Sequence, residues 1–317
     1  MQVVLLYGAV VLIWGSTWAA IPYQLGVVAA EVSVGYRFGI AALGLYLYAV
    51  VSRRRLRLPA KTYPMVFLQG TLLFSINYFF VYYGTAYITS GLVAVLFSSI
   101  VLMNTVFERL FFKTSVDSRL LLAAAVGITG ITMIFWPEIS ALSIADETIR
   151  GIIMVIIATA IASLGNMAAV VNTRRDLPVV AVNAHGMAFA ALLALAIAAA
   201  LGREFDFLIT PDYVLSLLYL AIFGSAVAFG CYLALIRRIG SARAAYSSVL
   251  FPVVALAMST LLEDYRWTPI SATGIVFTLV GNWLILSRRK MCNGKEGSTQ
   301  EISDQLLRGG GGGTSVE

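Results

Sequence analysis

Ten long apolar runs follow one another along this chain of 317 residues, and they fall into two sets of five. The second set repeats the first at a constant offset of 151 residues, as in the pairs Ser90 and Ser241, Ala94 and Ala245, and Gly130 and Gly281. Because five is odd, two copies of a five-helix unit must lie in opposite orientations across a membrane. Inverted repeats of this kind are typical of proteins that move solutes.

The apolar content excludes a soluble fold. Hydrophobic residues make up 60% of the chain and charged residues 12%, against roughly half and a quarter in soluble proteins. A helix needs about 20 apolar residues to cross the hydrocarbon core. We therefore predict an all-α polytopic membrane protein with ten transmembrane helices, at 3–22, 31–51, 63–83, 90–110, 118–136, 151–172, 181–201, 213–236, 243–262 and 268–287.

These helices divide the chain into three parts. Residues 1–140 form the first five-helix repeat and residues 141–287 the second, inverted repeat. Residues 288–317 are predicted to be a disordered polar tail that ends in a linker-like remnant. Residues 62–107 carry no charge and are too long for one helix, so we predict a turn at 84–89.

The distribution of lysine and arginine predicts the orientation of the chain. With a cytoplasmic N-terminus, 16 of these residues fall at cytoplasmic helix ends and 3 in external loops. Basic residues are concentrated in the cytoplasmic loops of membrane proteins. We predict a multi-pass protein of the inner (plasma) membrane with both termini in the cytoplasm.

Several kinds of function lack support in the sequence. The basic residues cluster at helix ends rather than along one face, which does not suit nucleic acid. Neither the two cysteines nor any other residues have metal-ligand spacing, and the motifs of ATP hydrolysis and of hydrolases are missing. We expect no metal, no cofactor and no catalytic residue. The predicted partners are a small-molecule substrate and the lipid bilayer, and we expect a monomer.

Several short motifs occur together in an order that is familiar. They are Trp14-Gly15-Ser16-Thr17-Trp18, Ser163-Leu164-Gly165-Asn166, Asn172-Thr173-Arg174-Arg175, Phe251-Pro252, Glu263, Gly274 and Gly281. The chain thereby resembles the drug/metabolite transporter superfamily over residues 3–287, in particular its ten-helix EamA-type branch and, within it, the YddG-type amino-acid exporters. This resemblance implies export of small metabolites, often amino acids, across the inner membrane without ATP.

The first half departs from the family pattern at two positions. Val101 stands at the equivalent of Pro252, and Phe112 stands at the equivalent of Glu263. Only the ninth helix therefore carries a proline break, and we assign Pro252 a role in kinking and gating.

Polar and aromatic residues in the middle of a span face other helices or a wet cavity. In the first half we predict that Trp14, Asn77, Tyr78, Tyr82 and Ser98 contact the substrate. Tyr78 and Tyr82 are four residues apart and so share one face of the third helix. The alternative for each of these residues is packing between helices.

In the second half we assign Ser163, Asn166 and Tyr246 to the substrate site. A buried amide usually finds a partner, which for Asn166 could be a neighbouring helix or the substrate, and we slightly favour packing. Arg37 and His185 are the two unusual ionisable residues within spans. For Arg37 we favour snorkelling or pairing with Glu31 over capture of a substrate carboxylate, and for His185 we favour packing over proton relay.

The sequence predicts a transporter that exports small metabolites, with neutral or aromatic amino acids as the first choice. Access would alternate through a cavity between the repeats, lined by helices 1, 3, 4, 6, 8 and 9. The alternatives are an exporter of drugs or other metabolites, a nucleotide-sugar exchanger, a membrane-embedded enzyme and a scaffold. An enzyme would need convergent acid, base or metal groups, and a scaffold would tolerate a dry core.

Overall fold

Helices form all of the regular structure in the described part of the chain. The structure is a computed structural model, and it describes residues 2–17, 20–88, 90–115, 118–134, 136–140, 146–251, 253–254, 257 and 268–286. Hydrocarbon offers no hydrogen-bond partner to the backbone, and a helix satisfies the backbone groups within one segment. The predicted all-helical membrane fold is confirmed.

The helices follow the predicted spans closely. We label them α1 (Gln2–Thr17), α2 (Ala30–Val51), α3 (Tyr63–Gly70, Thr71–Ile76 and Asn77–Thr85), α4 (Ser90–Ser98 and Ile100–Phe112), α5 (Ser118–Ile134), α6 (Asp146–Arg174), α7 (Val179–Ala200), α8 (Pro211–Ala221, Ile222–Val227 and Ala228–Ile239), α9 (Ser241–Ala245 and Tyr246–Leu250) and α10 (Pro269–Leu286). Residues 86–88 of the predicted turn at 84–89 lie between α3 and α4, while Gly84 and Thr85 end α3 and residue 89 lies outside the described residues. Pro252, Glu263 and the tail 288–317 lie outside the described residues.

Five of the described helices are long and apolar enough to cross a membrane. They span Ala30–Val51, Ala60–Thr85, Glu147–Arg174, Val179–Ala200 and Pro211–Ile239. The shortest has 22 residues, which is about 33 Å at 1.5 Å per residue and exceeds the hydrocarbon thickness of about 30 Å. The helices at Gln2–Thr17, Ser118–Ile134 and Pro269–Leu284 are shorter but also apolar.

Two π-helical turns interrupt α3 and α8 at equivalent places. They span Thr71–Ile76 and Ile222–Val227, and their positions differ by the same 151 residues as the repeated sequence. A π turn disturbs the regular hydrogen bonding of an α-helix, and such turns are frequent at functional sites. In α8 the Gly224 carbonyl accepts a hydrogen bond from Trp14 Nε1 at 2.9 Å, so a side chain of α1 binds a carbonyl within the turn.

Equivalent helices of the two halves pack against each other and run antiparallel. Gly35, near the start of α2, lies against Leu195, near the end of α7. In the second pair, Gly130 of α5 lies against Gly274 of α10. Further along α10, Gly281 lies against the part of α5 that precedes Gly130 by about one turn or more. Small residues allow such close approach between helices in a membrane.

The other helix pairings also correspond between the halves. α1 packs on α8, and α6, the equivalent of α1, packs on α3, the equivalent of α8. The buried core runs through these crossings, where Phe38, Phe74 and Phe229 form a chain of ring contacts with centroids 5.6 and 4.7 Å apart. Large apolar side chains such as Leu43 and Leu47 cover the outer surface, as expected where a helix faces lipid.

One end of the bundle collects basic residues. Arg237, at the end of α8, forms an ion pair with Asp176, which follows α6. The guanidinium carbon of Arg174 lies 4.2 Å from the centroid of the Phe112 ring at the end of α4. At the same end His185 Nε2 bonds the Leu56 carbonyl at 3.0 Å, so this histidine ties α7 to the loop after α2.

We predict opposite effects of alanine at two helical glycines. In Gly130→Ala the new methyl group would meet the α10 backbone at Gly274, and overpacking costs about 1–3 kcal/mol. Gly44 is exposed and a methyl group there meets nothing within 4 Å, so Gly44→Ala should raise the stability by about 0.4–1 kcal/mol. Thermal unfolding in detergent measures both, and equal midpoints would contradict the α5–α10 contact.

Candidate functional site

A cavity lies at the centre of the bundle, between residues of the two halves. About 700 Å³ of space among its lining side chains, including the part open to the surroundings, holds no protein atom. Side chains of α1, α3, α4, α6, α8 and α9 form its wall, which are the six helices that the sequence suggested. α2 contributes as well, through Arg37.

Aromatic rings form one side of the cavity. The Trp14 ring lies 4.7 Å from the ring of Phe229, 5.0 Å from that of Tyr232 and 5.7 Å from that of Phe251, measured between centroids. The bond from Trp14 Nε1 to the Gly224 carbonyl fixes the indole. Edge-to-face and tilted contacts at these distances are favourable for aromatic rings, so this side offers a fixed apolar surface.

Arg37 is buried in the wall and is 2% exposed. Its Nε donates a hydrogen bond to Ser225 Oγ, in the π turn of α8, at 2.9 Å. Its guanidinium carbon lies 4.6 Å from the centroid of the Tyr78 ring and 5.3 Å from that of Phe38. The sequence favoured snorkelling or pairing with Glu31, but the side chain does neither in the described structure. It points between helices because α8 and two aromatic rings hold it there.

Three polar side chains in the wall have an oxygen with no hydrogen-bond partner. These are Oδ1 of Asn77, Oδ1 of Asn166 and Oγ of Ser248, and all three residues are buried. An unpaired buried oxygen costs about 1–3 kcal/mol. Such groups are expected where a ligand or water supplies the missing donor.

Asn104 joins three helices beside the cavity. Its Oδ1 accepts hydrogen bonds from Ser163 Oγ at 2.6 Å and from Asn166 Nδ2 at 3.3 Å. Its Nδ2 donates to the Ser241 carbonyl at 3.2 Å, and Glu108 binds the Ser241 backbone N–H at 3.0 Å. α4 of the first half is thereby tied to α6 and α9 of the second, and the side chain of Asn166, a residue of the cavity wall, is held by Asn104.

The predicted site residues divide into two groups. Trp14, Asn77, Tyr78 and Asn166 line the cavity together. Tyr82, Ser98, Ser163 and Tyr246 are fully or almost fully buried behind the lining residues. Among these, Ser163 binds Asn104 and Tyr246 Oη donates to the Ala123 carbonyl at 2.6 Å. Pro252 lies outside the described residues.

The structure places in the wall several residues that the sequence does not mark as ligands. The sequence favours a structural role for Arg37 and does not mark Phe229 and Tyr232 of α8 as ligands. A charge in the middle of a span was the available signal for Arg37, because such residues usually face the interior of a bundle.

In the residues that the structure describes, no group of three His, Cys, Asp or Glu side chains could hold a metal ion.

Comparison with known proteins assigns the family. The sequence model of the EamA-like transporter family matches residues 1–136 and 149–287. The chain belongs to the EamA-like transporter family. Membership makes it a membrane transporter rather than an enzyme, and it agrees with the resemblance seen in the sequence.

Named relatives of this EamA-like transporter extend over almost the whole chain. The protein PagO of Salmonella typhimurium is 24% identical over 294 residues, covering 90% of this chain and 93% of its own. The uncharacterized inner membrane transporter YedA of Escherichia coli (strain K12) is 29% identical over 293 residues, covering 88% and 90%.

Two further matches give more limited information, because one covers a short part of the chain and the other shows only the fold. A probable amino-acid metabolite efflux pump of Escherichia coli (strain K12) is 38% identical over 79 residues, which is 24% of this chain and 26% of that protein. A protein of known crystal structure superposes with a TM-score of 0.72 at 16% identity, covering 90% of this chain and 96% of its own. The latter likeness shows a shared fold.

We predict that Asn104→Ala destabilises the protein more than an ordinary loss of a hydrogen bond. It leaves the Ser163 hydroxyl and the Asn166 amide without their acceptor, and we expect a loss of at least about 1–3 kcal/mol. Thr132→Val is the control, because within the described residues the Thr132 hydroxyl bonds only the Ile128 carbonyl of its own helix, at 2.9 Å. Unfolding midpoints in detergent that fall equally for both would contradict the joining role of Asn104.

Proposed function

We propose that this transporter exports neutral or aromatic amino acids through the central cavity by alternating access between two inverted repeats. The observation that carries the proposal is the wall itself, which combines an aromatic side with unpartnered oxygens of Asn77, Asn166 and Ser248. Unpaired polar groups in the centre of a scaffold would only destabilise it, whereas in a transporter they can form hydrogen bonds with a solute.

The helix pairings support a division into repeats at 1–140 and 141–287. Equivalent helices run antiparallel in α2–α7 and α5–α10, as a two-fold axis in the membrane plane requires. The family model also matches the two halves as separate units. In transporters of this type one repeat moves against the other around a site near the middle of the bilayer.

The composition of the wall supports an amino acid as the substrate class. The Trp14, Phe229 and Tyr232 rings suit an apolar or aromatic side chain, and amide oxygens suit an ammonium group, which has three donors. The relative named a probable amino-acid metabolite efflux pump supports the same class and the direction of export.

Two alternative substrates fit the wall less well. A nucleotide sugar carries two phosphate charges, and Arg37 is the one basic side chain in the described wall. A cationic drug would be repelled by this buried guanidinium. We also propose that the transporter functions as a monomer.

The basic end of the bundle supports the proposed orientation. Arg174 and Arg237 lie at the same end as residues 53–57, and such residues mark the cytoplasmic side. We therefore propose an inner-membrane protein with both termini in the cytoplasm, which agrees with the description of YedA as an inner membrane transporter.

Flux measurements on the reconstituted full-length chain test the proposal. Liposomes that contain the protein are loaded with labelled neutral and aromatic amino acids, and efflux is followed with and without a pH gradient. We expect efflux of at least one of them above that of empty liposomes. Absence of flux for the whole panel under both conditions would overturn an amino-acid substrate.

We predict that Tyr78→Ala reduces this flux about tenfold or more, which corresponds to about 1.4 kcal/mol. Tyr78 lines the cavity and supports the Arg37 guanidinium. Tyr48→Ala is the matched control, because Tyr48 is 48% exposed on the outer surface of α2. Equal flux from both variants at equal amounts of folded protein in the liposomes would remove Tyr78 from the site.

A further inference from the structure

The cavity wall holds a cation whose charge is not compensated by the protein around it. In the described part of the chain Arg37 forms no ion pair, and its Nη1 has no hydrogen-bond partner. Glu31, the acid on the same helix, is engaged elsewhere, because it accepts a hydrogen bond from Tyr83 and pairs with Arg203 at 3.7 Å. A buried charge without a partner is strongly unfavourable, so the site is incomplete without an anion.

The described contacts of Arg37 leave its Nη1 group without a hydrogen-bond partner. Nε is used by Ser225 at 2.9 Å, and the face lies over the Tyr78 ring at 4.6 Å. Nη1 is buried and unpaired, and it belongs to a residue that lines the cavity, so a ligand there could supply the partner that this group lacks. A planar guanidinium held in this way suits a carboxylate, whose two oxygens match its parallel N–H groups.

We propose that Arg37 binds the carboxylate of the transported solute and so makes a carboxylate a requirement for transport. The inference rests on the proposed function and deepens it, because it places the two charged ends of an amino acid. The carboxylate lies against Arg37, and the ammonium lies among the unpartnered oxygens of Asn77, Asn166 and Ser248. Arg37, the one cation in the described wall, matches the single negative charge of the solute carboxylate.

Substrate analogues test this proposal on the unchanged protein. Phenylalanine, phenylalaninamide and 3-phenylpropionate share the ring but differ in the carboxylate or the ammonium. Each competes with the labelled amino acid that gives the largest efflux. We expect the amide to compete at least tenfold more weakly than phenylalanine. An amide that competes as well as phenylalanine would overturn the proposal, since some other anion would then occupy Arg37.

Variants of Arg37 separate a binding role from a packing role. Arg37→Met should abolish binding of phenylalanine and, because it removes an unpaired buried charge, leave the unfolding temperature of the substrate-free protein equal or higher. Arg37→Lys should bind at least tenfold more weakly, because an ammonium cannot form the paired bonds. Arg150→Met, at an exposed arginine of α6, should change neither property. The proposal would be overturned if Arg37→Met unfolded at a lower temperature than the unchanged protein and phenylalanine still competed better than its amide to the same extent.

Failure of this inference and failure of the proposed function give different results. If amino acids are exported but phenylalaninamide competes as well as phenylalanine, the proposed function is retained and the proposed role of Arg37 is rejected. If no amino acid is exported but labelled 3-phenylpropionate binds to the purified protein and Arg37→Met abolishes that binding, the role of Arg37 stands and the amino-acid substrate falls. If Arg37→Met does not fold, the analogue series on the unchanged protein decides.

Discussion

The lack of hydrogen-bond partners in hydrocarbon governs this structure at every level. It requires helices in the spans, and it requires each disturbed backbone group or buried side chain to find a partner within the protein. The π turn of α8 meets this requirement through Trp14, whose Nε1 bonds the Gly224 carbonyl. Asn104 meets it by joining α4, α6 and α9. Among the buried side chains of the described residues that keep an unpaired polar atom, Arg37, Asn77, Asn166 and Ser248 lie in the wall of the cavity.

The sequence predicted the helices well because their signal is local. Apolar runs of sufficient length are bounded by charge, glycine or proline, and the break between the third and fourth helices could be placed from these boundaries alone. The family was also recognisable, since its motifs are spread through both halves. The π turns were not predictable, because their residues Thr71–Ile76 and Ile222–Val227 read as ordinary apolar helix.

The candidate site was predicted only in part because the rotation of each helix depends on its neighbours. Tyr78 and Tyr82 share a face of α3 by spacing, yet Tyr78 lines the cavity and Tyr82 is buried behind it. Tyr246 is a residue type common in binding sites, but its hydroxyl donates a hydrogen bond to the Ala123 carbonyl of α5. For Arg37, the depth in the span was visible in the sequence, while Ser225 and the two rings that hold it become neighbours only in the folded bundle.

The two equivalent crossings of the bundle are filled differently. Trp14 of α1 stands against the π turn of α8, whereas its counterpart 151 residues later, Gly165 of α6, lies against the backbone of Leu73 in the π turn of α3. In the alternating access proposed above, one repeat moves against the other around the site, and we infer that the two crossings would exchange their packing between the inward-open and outward-open states. An indole and a glycine cannot exchange packing at equal free energy, so the empty protein would populate one of these states over the other. The substrate would then have to bind the two states with unequal affinity to make them equally populated.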